Sequence, residues 1–174
     1  MTLAEYMAVA KKANQFSATG ERTGRQMVLA VDCSEDGDAE EKDYVVVANH
    51  VENVGASLTG KTTDKEYIGE GSVTIKSSTK RSFSVTGQLL RGDPYHDFIC
   101  SHKIKYGVGT EVQRKYVYFD PGTMKGESGT VTIVVNKDGA GAAGDPGDID
   151  VAMNVAGTPN EYTYAEAAAP KEET

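Results

Sequence analysis

The sequence predicts a mainly β protein: a β-sandwich of about seven or eight strands with one flanking α-helix, a long inter-strand loop and extended terminal arms. Three observations lead there. Apolar and polar residues alternate with a period of two in about seven short stretches rich in β-branched residues. Only two places replace that period with a helical one. Glycine-rich and acidic breaks separate the stretches, as expected of short strands joined by turns.

Leu3, Tyr6, Met7 and Ala10 recur at helical spacing near the start, and Thr2 and Glu5 have capping-box spacing. Residues 1–24 are therefore a short helix or a terminal arm that orders on assembly. The first strand places Met27, Leu29 and Val31 opposite Val28 and Ala30. Residues 32–43 follow as a dense acidic loop. The apolar run from Tyr44 to Val51 gives the next strand, and a glycine-containing excursion fills residues 55–71. Val73 and Ile75 alternate with Thr74 and Lys76, and Phe83, Val85 and Leu89 oppose Ser82, Ser84, Thr86 and Gln88.

The second helical stretch begins at Asp93, a capping residue, with Pro94 at the first helical position. Tyr95, Phe98, Ile99 and His102 share one face; His96, Asp97, Cys100 and Ser101 lie around the other side, and Gly107 or Gly109 ends the segment. Residues 115–119 are a strand. Val131, Ile133 and Val135 oppose Thr130 and Thr132, and Ile149, Val151, Met153 and Val155 oppose Asp150, Ala152, Asn154 and Ala156. Residues 136–148 form a glycine-rich loop between them. Residues 25–157 make one sandwich domain, and residues 158–174 a C-terminal arm with little to bury.

The chain has 174 residues, enough for one core without disulfide staples. Its net charge of −8 argues against holding nucleic acid or an anionic membrane through bulk charge. Cys33 and Cys100 allow one disulfide but suit free thiols in a reducing compartment. The start lacks a signal-peptide pattern, and no apolar run approaches the ~18 residues of a membrane-spanning helix.

Four motifs invite a chemical reading. Residues 55–62, GASLTGKT, spell the phosphate-binding loop, glycine, four residues, glycine, lysine and threonine. That loop needs a strand before it and a helix after it, so that N–H groups converge on phosphate. Here Gly69 and Gly71 interrupt any helix, and a polar connection between antiparallel strands is the plainer account. Asp32 and Asp120 end apolar strands, as a magnesium-holding acid would, but fit ordinary strand ends. His96, Cys100 and Asp93 lie on one stripe, yet structural zinc usually wants four ligands. Cys100 as a nucleophile would depend on His96 as its base. Arg91-Gly92-Asp93 spells an adhesion tripeptide and fits equally a turn feeding a helix cap. The acidic loop lacks the ordered spacing of a calcium loop.

The order YVVVANHVENV, GASLTGKTTDKEYIGEGS, KRSFSVTGQ, RGDPYHDFI, KYGVGT, YVYFD, GESGTVTIVVNKDG and VAGTP resembles the major tail protein of long, non-contractile phage tails, the siphophage tail tube family. The resemblance covers roughly residues 25–160. It implies a β-sandwich with one helix, a structural virion protein with neither enzymatic activity nor cofactor, and hexameric rings stacked into a hollow tail for DNA ejection. The partners implied are other copies of itself and the tape-measure, tail-terminator and distal tail proteins. Genomic DNA would pass through the lumen without tight binding. The protein would be made and assembled in the host cytoplasm and reside in the virion tail, with no membrane partner.

On that resemblance Gly55, Ser57, Leu58, Lys61, Thr62, Asp64 and Tyr67 form a candidate assembly loop. Asp32, Glu35, Asp36, Asp38, Glu40, Glu41 and Asp43 form a candidate acidic lumen or inter-ring loop. Two rivals remain: a monomeric carbohydrate-binding or adhesin-like sandwich, for which nine Tyr supply stacking surface, and an enzyme built on Lys61 or on His96 with Cys100.

Overall fold

The computed structural model describes residues 1–12 and 26–165. The alternating stretches form seven strands: β1 Val28–Val31, β2 Val45–Val46, β3 Val51–Tyr67, β4 Gly71–Gln88, β5 Gln113–Asp120, β6 Lys125–Ala140 and β7 Asp148–Thr163. All pair antiparallel, in the order β2-β1-β5-β6-β7-β4-β3. The mainly β expectation holds, with one difference. Hydrogen bonds join the strands into a single sheet, and helices cover its faces.

The larger core lies on one face. Leu29 and Val31 of β1, Val131 and Ile133 of β6, Val151 and Met153 of β7, and Phe83 and Val85 of β4 belong to one buried cluster with Tyr95, Ile99 and Ile104. These last residues come from two short helices, α2 (Pro94–Ile99) and α3 (His102–Tyr106), where the sequence suggested one. The break has a geometric reason. On a continuous helix Ile99 and Ile104 would point about 140° apart. Ser101 adopts an extended backbone and restarts the helix, so both reach the same cluster.

Among the described residues, the opposite face is covered at one end only. Helix α1, Leu3–Lys12, packs Leu3 and Met7 on Val28, Ala30, Val117 and Phe119. Its capping box forms as the spacing requires: Thr2 N–H donates to Glu5 Oε2 at 2.9 Å and Glu5 N–H to Thr2 Oγ1 at 3.3 Å. Covered on both faces, β1 is buried throughout. Thr2 also bridges Val45, so backbone closes the outer edge of β2.

Four expectations need correcting. Residues 44–51 are not a strand throughout; β2 has two residues, and the chain then turns through His50 at positive φ. The excursion at 55–71 is not a loop but most of β3, running to the tight turn before β4. The glycine-rich connection shrinks to residues 141–147, because β6 and β7 pair out to Ala140 and Asp148. Residues 158–163, assigned to a terminal arm, are strand and pair with the start of β6, from Ser128↔Asn160 to Lys125↔Thr163. The N-terminal stretch 13–25 and the tail 166–174 lie outside the described residues.

Candidate assembly surfaces

The hairpin of β3 and β4 leaves the body of the sheet. The two strands pair from Val51↔Gly87 to Tyr67↔Gly71, but β4 pairs with β7 only over Ser82–Gln88. Residues 59–80 therefore form a two-stranded arm that, among the described residues, pairs only with itself. At about 3.3 Å per residue it projects roughly 30 Å. An isolated two-stranded ribbon is marginal in water.

Register assigns its faces, because cross-strand partners share a face. Thr63↔Ile75, Lys65↔Val73 and Tyr67↔Gly71 define one; Thr62↔Lys76, Asp64↔Thr74 and Glu66↔Ser72 define the other. A bulge at Ser77, whose hydroxyl donates to Lys61 C=O at 3.0 Å, offsets the register between Lys61 and Thr62. The first face carries Tyr67, Val73 and Ile75, all exposed, and Ile68 is fully exposed at the tip. Lys61 and Lys65 share that face, and Lys80 joins it beyond the bulge, opposite Thr59.

Of the candidate assembly residues, Ser57, Lys61 and Tyr67 lie on this face, and Leu58, Thr62 and Asp64 on the reverse. Gly55 is at the root, opposite Ser84. One strand thus carries them all, but on two surfaces. Sequence reasoning did not place Val73, Ile75, Lys65 and Lys80 on this surface; alternation was legible at Val73 and Ile75 alone.

Where the arm parts from β7 there is a cleft of about 420 Å³ lined by Leu58, Thr79, Arg81, Glu127, Pro159 and Glu161. Arg81 and Glu127 pair within it at 2.6 Å.

The acidic loop lies at the other end of the sheet, between β1 and β2. Its residues do different things. Asp32 is fully buried and organises the loop, accepting from Ser34 N–H at 2.9 Å, Ser34 Oγ at 2.6 Å and Ala39 N–H at 3.2 Å. It is not available to line a channel. Glu41 accepts from the Tyr162 hydroxyl. Burial chiefly, then Glu41, pushes that phenol far above its ordinary range. Glu40 pairs with Lys42, whose hydrogen bond and charge hold its carboxyl below the usual value. Arg114, itself buried, holds the loop to the body through Glu35 C=O at 3.4 Å, and Lys103 Nζ reaches the same carbonyl at 2.8 Å. The side chains of Glu35, Asp36, Asp38, Glu40, Glu41 and Asp43 remain at the surface.

The chemical motifs lose their geometry. Lys61 is in mid-strand with no helix after it. Asp93 is buried and caps α2, accepting from Tyr95 N–H at 3.0 Å and Asn49 Nδ2 at 2.6 Å, so the tripeptide it ends cannot engage a receptor. His96 is buried, not solvent-facing as its helical position suggested; its Nδ1 accepts from Leu90 N–H at 2.8 Å. Burial raises the Cys100 thiol, the opposite of nucleophile activation. Among the described residues no group of three or more His, Cys, Asp or Glu side chains could hold a metal. No described helix is long and apolar enough to cross a membrane.

No protein-family model matches the chain, and no curated protein matches it. Solved structures do. A chain from the tail of an empty GTA particle, refined helically with C6 symmetry, superposes with a TM-score of 0.62 at 15% identity, covering 83% of this chain and 100% of that chain. A chain from the virion of a native gene transfer agent (GTA) particle gives 0.56 at 14% identity, covering 82% and 100%. At such identity the likeness is one of fold, and it spans the whole of each neighbour.

Proposed function

We propose that this chain is a structural subunit of the tail tube of a phage or phage-derived particle, forming hexameric rings that stack into a hollow tail through which DNA leaves. The observation that carries this reading is the match to the full length of a chain from a C6-symmetric tail. The unsupported arm agrees with it, since a ribbon that pairs only with itself needs a neighbour. The protein acts by assembly and performs no reaction.

The sheet face left uncovered by α1 suits passage of DNA. On β4, β7 and β6 it presents the uncharged Ser82, Ser84, Thr86, Asn154, Ala152 and Thr132, with Val134 beside Ala152 and the oppositely charged Asp150 and Lys137 opposite each other beyond them. Such a wall offers phosphates little to hold, and the net charge of −8 opposes sticking. The tape-measure, tail-terminator and distal tail proteins are the further partners this role requires.

Negative-stain electron microscopy of the concentrated full-length protein tests the reading. Hollow tubes or six-fold rings are the expected result. A protein that stays monomeric over days and binds in a glycan screen would replace it with a binding module.

A further inference from the structure

The arm and the acidic loop are opposite in charge and opposite in place. One face of the arm presents Lys61, Lys65 and Lys80 with Tyr67, Val73 and Ile75, in a protein that is otherwise strongly acidic. The arm belongs to β3 and β4, which close one end of the seven-stranded order. The loop at residues 32–43 carries seven acids and one lysine and joins β1 to β2 at the other end. Beside that loop α1 exposes the apolar side chain of Val9, and Met1 is partly exposed.

We propose that the basic, apolar face of the arm docks on the acidic loop and adjoining α1 of a second copy of this chain. The partner is fixed by three features. Tyr67, Val73 and Ile75 stay exposed, and, among the described residues, residues 59–80 pair with no third strand. Its three lysines call for an anionic surface, and the loop supplies one. The two surfaces sit at opposite ends of one sheet, so their contact is head-to-tail. Repeated in one direction, such a contact propagates into a closed ring or an open filament, whereas a reciprocal exchange of arms would close a two-fold dimer. Continuing the sheet from β3 of one copy to β2 of the next is not an alternative, since Met1 C=O and Thr2 already occupy the outer edge of β2. The inference rests on self-assembly of the chain and adds which surfaces meet.

Carbodiimide crosslinking of the full-length protein reads the contact directly. Equal parts of ¹⁵N-labelled and unlabelled protein, concentrated together and crosslinked, should give mixed-isotope peptides joining Lys61, Lys65 or Lys80 to acids within residues 35–43. Absence of those links between copies, whether no links form or all map elsewhere, overturns the proposal.

Charge exchange gives a second reading. Lys61→Glu/Lys65→Glu/Lys80→Glu and Asp36→Lys/Asp38→Lys/Asp43→Lys should each raise the concentration needed for assembly about tenfold or more. All six sites are exposed, so melting temperatures should not move. An equimolar mixture should recover assembly, because in an alternating array every arm then meets a loop of opposite charge. Failure to recover in the mixture overturns the pairing. Wild-type tubes without the predicted links would leave the tube reading standing and remove this contact; links in non-tubular oligomers would do the reverse.

Discussion

Arg81 on β4 donates Nε–H to Glu127 Oε1 on β6 at 2.6 Å, joining two strands that share no ladder. The guanidinium also lies over the rings of Phe83 at 4.9 Å and Tyr118 at 5.1 Å. The side chains are only 10% and 23% exposed. The pair sits where the arm departs from β7, so it fixes the root of the arm as well as the fold. Arg81→Ala should lower the unfolding free energy by roughly 2–3 kcal/mol, because Glu127 is left largely buried without its cation, with only the Tyr116 hydroxyl at 3.4 Å. Arg81→Lys should fall between, keeping charge but losing the planar stack. Urea titration measures both; a change below about 0.5 kcal/mol for Arg81→Ala would mean the pair merely offsets its own desolvation.

Leu3 is completely buried against the face of β1 and β5 that α1 covers. Leu3→Ala removes an isopropyl group from a closed site and should cost about 2–4 kcal/mol. Thr2→Ala breaks one arm of the capping box and should cost about 1 kcal/mol. Deleting residues 1–12 exposes Val28, Ala30 and Phe119 and reopens the edge of β2, so that variant should aggregate rather than assemble in order. Circular dichroism melts and light scattering distinguish the two outcomes.

What was legible in the sequence follows burial. Where one face of a strand meets the core, alternation is enforced, and β1, β5, β6 and β7 were visible for that reason. Asp93-Pro94 announced the start of α2, and Thr2 with Glu5 announced α1. The arm was hidden because both its faces meet water: nothing demands apolar residues at every second position, and Gly55 and Gly60 imitate a loop. Residues 158–163 were hidden by Gly157 and Pro159. Proline is tolerated there because β7 has left β4 after Asn154, so the N–H that proline lacks would have no β4 ladder to serve. His96 looked solvent-facing because helical position alone does not show that Leu90 N–H waits for its Nδ1. The candidate site suffered most: a list of seven loop residues could not reveal two faces that only register separates.

Several phenols are held above their ordinary range. Burial first, then Asp32 and Glu41, pushes Tyr44 up to about 12; burial, then Glu127, raises Tyr116 further. A phenol with a raised folded pKa favours the native state fully below its unfolded value near 10, and that contribution drains away as pH climbs towards the folded value. Stability should therefore hold up to about pH 9.5 and fall between about pH 10 and 12. Tyr44→Phe should flatten the decline, since Phe has no proton to lose. Urea midpoints at pH 8, 10 and 11 for both proteins check it, and an unchanged slope in the variant would remove Tyr44 as the cause.

Lys61 decides whether the phosphate-loop letters mean anything. A cradle needs successive N–H groups converging on one anion. In β3 the motif is extended, and its residues run in register with β4 from Gly55↔Ser84 to Thr62↔Lys76. Along such a strand alternate N–H groups point to opposite sides, and half already serve the ladder. No helix follows to add its positive end. Magnesium-ATP or magnesium-GTP should therefore leave the melting temperature of the wild type and of Lys61→Ala unchanged. Saturating a true site would add about 2.7 kcal/mol at a hundred times its Kd, a shift of several degrees. A saturable shift in the wild type that vanishes in Lys61→Ala would restore the nucleotide reading. Without one, Lys61 is free for the contact proposed above.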